Sequence, residues 1–171
     1  MRKSLPLLAG VALTLVLSAC AKKCGGTTET ATAPAQPTAT AALSRPSATL
    51  EIGTKDDEIA YDKTTLEAKT GTVIAVRFKN NAKSPQNKHN WVLTKPGMAQ
   101  GVAGAGQAAH NGEKTGFIPN TPDMIAHTKL LKPGEEDTII FTVPPAGEYS
   151  FVCTVPGHEW KMVGVFKATK K

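Results

Sequence analysis

Beyond Ala48 the chain breaks into short runs in which apolar residues recur at every second position. That period suits strands with one buried face and does not suit helices. Thr72–Phe78 places Ile74, Val76 and Phe78 on one side, and Asn90–Thr94 and Thr138–Val143 read as further strands. Tyr149, Phe151 and Cys153 share a face, as do Met162, Gly164 and Phe166. Lys132-Pro-Gly134 and Pro144-Pro-Ala-Gly147 punctuate the runs as turns. The expectation is an all-β domain, a two-sheet Greek-key β-sandwich. One stretch breaks the rhythm: Met98–His110, rich in Ala, Gly and Gln, predicts a short helix or flap on the outside of the sandwich, followed by a loop over Gly112–Pro122. Aromatic residues make up only 5% of the chain, which argues further against a helical bundle.

The amino-terminal part has a different character. Arg2-Lys3, an apolar run from Leu7 to Leu17 and small residues up to Cys20 read as an export signal over residues 1–19. Leu17-Ser-Ala-Cys20 has the form of a lipobox, so Cys20 is expected to carry the lipid of a mature lipoprotein. Residues 20–47, rich in Ala, Thr and Pro, read as a disordered linker, leaving 48–171 as the folded domain. Cys24 in the linker is given no role. The implied location is the outer face of the cell membrane, lipid-anchored on the periplasmic or extracytoplasmic side.

Charge narrows the partners. The chain carries 20 basic and 14 acidic side chains, but residues 47–171 hold 15 against 13, with no dense basic stripe. A nucleic-acid partner is therefore not expected. A length of 171 residues also excludes a large multidomain enzyme.

In this exported context the domain proper has a single cysteine, Cys153, and a free thiol there needs an occupant. It stands in Cys153-Thr-Val-Pro-Gly-His158-Glu-Trp-Lys-Met162, a loop between two predicted strands. Thiolate, imidazole and a weak thioether are three members of the ligand set of a blue-copper centre, which needs one more histidine. His89, at the start of a separate strand, can supply it. Zinc also accepts Cys and His, but its structural sites rarely use a thioether.

These segments resemble the cupredoxins, the small blue copper proteins, and specifically their azurin and auracyanin group. The resemblance rests on Lys88-His-Asn-Trp-Val-Leu93, Met124-Ile-Ala-His-Thr-Lys-Leu130, Gly147-Glu-Tyr-Ser-Phe-Val-Cys-Thr-Val-Pro-Gly-His158 and Met162, and covers about residues 48–171. The lipobox and tether look more like auracyanin than soluble azurin. The resemblance implies one type 1 copper ion held by His89, Cys153, His158 and an axial Met162. It also implies that Asn90 ties its strand to the loop beginning at Thr154. The group often adds the carbonyl of the residue before the first histidine as a distant contact; here that residue is Lys88, where azurins have glycine. The amino-terminal disulfide usual in azurins has no counterpart. His127 and His110 are read as non-ligands, Trp91 and Trp160 as packing residues with a partner-facing surface beside His158 as the alternative for Trp160, and Val155, Pro156, Met98 and Met162 as an apolar rim around His158.

The function implied is that of a membrane-tethered, monomeric electron carrier, not an enzyme. It would move single electrons between redox proteins such as a quinol-oxidising complex and a c-type cytochrome. A copper enzyme would need more histidines for a second ion, and a periplasmic copper-storage or delivery protein would favour more Met and His than the four of each found here.

Overall fold

A computed structural model describes residues 45–109 and 111–170. The expected leader and the tether as far as residue 44, with Cys20 and Cys24, lie outside the described residues, as does His110. The elements are β1 (Thr49–Gly53), β2 (Thr65–Lys69), β3 (Val73–Lys79), β4 (Val92–Thr94), α1 (Ala99–Ala108), β5 (Met124–His127), β6 (Glu136–Thr142), β7 (Gly147–Val152) and β8 (Val163–Thr169). They form two mixed sheets, of order β1-β3-β6 and β2-β8-β7-β4-β5. The pairs β1–β3 and β2–β8 are parallel, and the remaining pairs are antiparallel.

The core follows the alternation. Ile74, Val76 and Phe78 of β3 are buried and meet Phe151 of β7 and Phe166 of β8 from the opposite sheet. Tyr61 sits edge-on to both Phe78 and Phe151, and Trp91 stacks on Phe151 at 5.7 Å between ring centroids. Gly164 makes this packing feasible, because a Cβ there would strike the Phe151 ring. The expected face of Tyr149, Phe151 and Cys153 points into the core, but Val152 on the other face is buried as well. The reason is α1. Its Ala99 and Val102 pack with Val92 and Val152 on the outer side of the larger sheet, so β4 and β7 are covered on both faces. The Ala/Gly/Gln-rich segment is thus a helix whose small residues permit close approach to the sheet.

Strands β1, β2 and β5 were not among the runs read from the sequence. β1 and β2 are edge strands, TLEIG and TLEAK, which alternate polar and apolar residues but carry only two apolar side chains each. They pair in parallel with β3 and β8.

Candidate metal centre

Three segments converge at one end of the sandwich. His89 precedes β4 and is pinned by an isolated bridge to Leu131, with His89 N–H donating to the Leu131 carbonyl (3.1 Å) and Leu131 N–H donating back (2.8 Å). Cys153 follows β7 directly, and its N–H donates to the Met162 carbonyl at 3.0 Å, closing the loop between β7 and β8. Within that loop His158 N–H donates to Val155 C=O at 3.0 Å, spanning Pro156-Gly157. Gly157 has φ +81°, the conformation that this turn demands of its second central residue and that only glycine adopts without strain. Met162 N–H donates to His158 C=O at 2.8 Å, fixing the thioether residue relative to the imidazole.

The result is a tight donor cluster. Cys153 Sγ lies 4.0 Å from His89 Nδ1 and 3.6 Å from His158 Nδ1. One ligand atom from each of the three residues lies within 4.8 Å of the others. An ion bonded to sulfur at about 2.3 Å and to nitrogen at about 2.0 Å, with angles between tetrahedral and trigonal, needs a sulfur–nitrogen separation of about 3.5–3.7 Å. The cluster is close to that shape without rearrangement. His89, Cys153 and Met162 are fully buried, whereas His158 is half-buried and so the one of these four side chains that reaches solvent.

Electrostatics favour a cation. Burial pushes the Cys153 thiol up to about 12, with the carboxylate of Glu159 adding to the rise and the backbone N–H groups of Asn90 and Val155 pulling against it. Burial, followed by the charge of His158, brings His89 down to about 4. Burial also lowers His158, against the opposing pull of Glu159. Without an ion the pocket is therefore neutral at pH 7: one thiol and two free imidazole bases. A bound cation removes the cost of ionising the thiol, so uptake and deprotonation go together. The remote nitrogen of His89, Nε2, is buried with no hydrogen-bond partner among the described residues. Metal-binding imidazoles usually have such a partner.

Behind the donors runs a set of ties. Asn90 Nδ2 donates to Thr154 Oγ1 (2.8 Å) and to Gly116 C=O (2.9 Å), and Thr154 N–H donates to Asn90 Oδ1 (2.9 Å). The loop is also held from α1. Gln100 Nε2 donates to the Glu159 carbonyl and Gln107 Nε2 to the Glu159 carboxylate, each at 3.0 Å. These glutamines are seven residues apart and so share one helix face. Sequence reading missed both of them, and Glu159. The signal available was two amides in a helix otherwise built of small residues.

The family of the chain follows from comparison. Residues 48–168 match the model of the copper-binding proteins of the plastocyanin/azurin family. The chain belongs to this family. It is a cupredoxin, whose members such as azurin and auracyanin are electron carriers and not enzymes, and its cofactor is copper. Auracyanin-A of Chloroflexus aurantiacus is 41% identical over 119 residues, covering 68% of this chain and 71% of the relative. Azurin of Bordetella pertussis is 38% identical over 117 residues, covering 65% and 77%. Among solved structures, the dithionite-reduced auracyanin of Roseiflexus castenholzii superposes with a TM-score of 0.65 at 36% identity, covering 73% of this chain and 99% of that one.

Two expectations about the cupredoxin's surface need correction. Met162 is fully buried and so cannot belong to an exposed rim. Trp160 is 72% exposed, so it is no packing residue, unlike Trp91, which is fully buried. Pro156 and Met98 are exposed and Val155 is half-buried. His127 lies on β5, exposed, with Nδ1 3.1 Å from the Thr128 carbonyl, outside the donor cluster.

Proposed function

We propose that His89 Nδ1, Cys153 Sγ and His158 Nδ1, with the thioether of Met162 as a weak fourth donor, would hold one type 1 copper ion, and that the protein carries single electrons while tethered to a membrane through Cys20. Copper supplies a one-electron Cu(I)/Cu(II) couple, and this donor set suits both valences. The chain's part is to hold the donors still. His89 is locked by Leu131, the loop by Asn90 and α1, and the buried position of Cys153 keeps water from the sulfur. His158, the half-buried donor, offers the route for electrons to a docked partner, next to the exposed Pro156 and Trp160. The observation that carries this reading is the convergence of two imidazole nitrogens on one buried thiol.

The donor and acceptor are redox proteins, a quinol-oxidising complex and a c-type cytochrome being the pair suited to a carrier held at the membrane. The lipobox-like Leu17–Cys20 and the Ala/Thr/Pro-rich segment support the tether. Adding Cu(II) to the metal-free protein should give an intense visible band from thiolate-to-copper charge transfer, absent in Cys153→Ser. A Cys153→Ser variant that still turns blue refutes the ligand set. Mass spectrometry of the mature protein tests the anchor separately: an amino terminus other than an acylated Cys20 removes it.

A further inference from the structure

Lysines that lie far apart in sequence line one cleft beside the metal centre. Lys88 precedes His89, Lys114 follows α1, and Lys129 and Lys132 follow β5; together they border an open cavity of about 590 Å3. Glu113 is the one carboxylate in its lining, and it already binds Lys88 at 2.7 Å. Among the described residues no carboxylate forms an ion pair with Lys114, Lys129 or Lys132. The lining holds four ammonium groups against one carboxylate, a count of +3; the Asp137 and Glu135 carboxylates next to it accept from the Lys129 and Lys132 backbone N–H groups at 2.9 and 2.8 Å and form no ion pair with either ammonium. Residues 47–171 total only +2, so the rest of the domain is net −1. The excess of ammonium groups is therefore local to the lining, and a concave surface concentrates the field of such groups.

We propose that this cleft docks an acidic segment on the surface of a redox-partner protein, an inference that rests on the electron-carrier reading above. The Lys88–Glu113 pair shows which group the cleft accepts, a side-chain carboxylate. A small inorganic anion fits less well. Such anions are cradled by free backbone N–H groups, and those of Lys114, Gly116, Ile118, Lys129 and Lys132 are all spent on oxygens of the protein itself. What remains is three exposed, flexible ammonium groups around a floor that includes Ile118 and Leu130, as suits a protein patch with charged rim and apolar centre. The cleft is also tied to the segments that carry the donors. Lys88 adjoins His89, and the Gly116 carbonyl in its wall accepts from Asn90. Charges placed there speed encounter and orient the partner without making it slow to leave.

The test uses the full copper-loaded chain and a capped hexaglutamate peptide as the probe. At an ionic strength of about 20 mM the peptide should bind, and binding should weaken steeply by about 200 mM. Amide resonances of Lys88, Gly116 and Leu130 should shift, and Lys114→Glu/Lys129→Glu should weaken binding by about tenfold or more. Lys69→Glu, on the edge strand β2, should change it less than about twofold. Absence of binding at low salt, equal losses in Lys69→Glu, or shifts centred elsewhere would overturn the proposal. So would tripolyphosphate displacing the peptide at lower concentration than the peptide itself requires, which would make the cleft a small-anion site. Blue absorbance reports the metal centre independently. A colourless protein that still binds the peptide would sink the electron-carrier reading and leave the acidic-ligand site standing.

Discussion

Asn90 and Thr154 grip each other through a reciprocal pair of hydrogen bonds, Asn90 Nδ2 to Thr154 Oγ1 at 2.8 Å and Thr154 N–H to Asn90 Oδ1 at 2.9 Å. Asn90 follows His89 and Thr154 follows Cys153, so this one pair couples the two segments that bring imidazole and thiol together. Both residues are fully buried, and neither side chain has water as an alternative partner.

Asn90→Ala removes three buried hydrogen bonds at once and strands the Thr154 N–H and the Gly116 carbonyl. The expected cost is about 2–4 kcal/mol in unfolding free energy of the metal-free protein. The blue band per bound copper should also fall, because the loop no longer holds Cys153 in one place. Urea unfolding and absorbance titration read the two effects, and an unchanged urea midpoint would show that the strap carries no stability.

Glu159 brings a carboxylate beside His158 into a nearly buried position, where Gln107 donates to it. A negative charge there favours Cu(II) over Cu(I). Glu159→Gln keeps the shape and leaves Gln107 an oxygen to bond. The reduction potential should rise by on the order of 50–100 mV, from an interaction at an effective dielectric near 20. Gln107→Ala instead loosens the loop and leaves the carboxylate in place, so its effect on potential should be smaller. Voltammetry on both variants decides whether charge or tethering dominates; a larger rise in Gln107→Ala would favour tethering.

What could be read from the sequence was what lies close together in it. Cys153, His158 and Met162 fall within ten residues, and their donor chemistry shows without a fold. Likewise β3 and β8 alternate strongly because each has one face in the core. The cationic cleft was illegible for the opposite reason: its lysines span positions 88 to 132 and meet only when β4, β5 and their loops are in place. Glu159 and Gln107 are another such pair, joined across 52 residues. The misplacement of Met162 in a surface rim came from treating a loop residue as exposed, when the backbone bonds of Cys153 and Met162 turn that end of the loop inward.

Metal-free protein should be most stable between pH about 6.5 and 9. On the acid side the unfolded chain protonates His89 and His158 near the ordinary histidine value, while the folded chain resists, His89 down to about 4. The unfolded state then binds more protons, so stability falls as pH drops from 6.5 toward 4. On the alkaline side the unfolded thiol ionises near 9 and the folded Cys153 only at about 12, so stability is lost as pH rises between those values. Tyr61, raised by its burial, steepens the same limb above pH 10. Chemical denaturation across pH reads the plateau. At pH 7 uptake of one Cu(II) should release about one proton, from the thiol; calorimetry in buffers of differing ionisation enthalpy counts it, and release of none would mean that Cys153 stays protonated.

Met162→Leu separates the role of the thioether from its role as core filling. Met162 is fully buried in the main apolar cluster with Trp91, Leu131 and Phe166, and leucine conserves most of its volume. The metal-free variant should therefore unfold within about 1.5 kcal/mol of the parent. If the sulfur is a weak axial donor, its loss withdraws electron density that Cu(II) needs more than Cu(I), and the reduction potential rises while the thiolate band persists. The two readouts are independent. A potential that stays the same or falls, in a variant of normal stability, would show that the side chain only fills space and that the copper is held by His89, Cys153 and His158 alone.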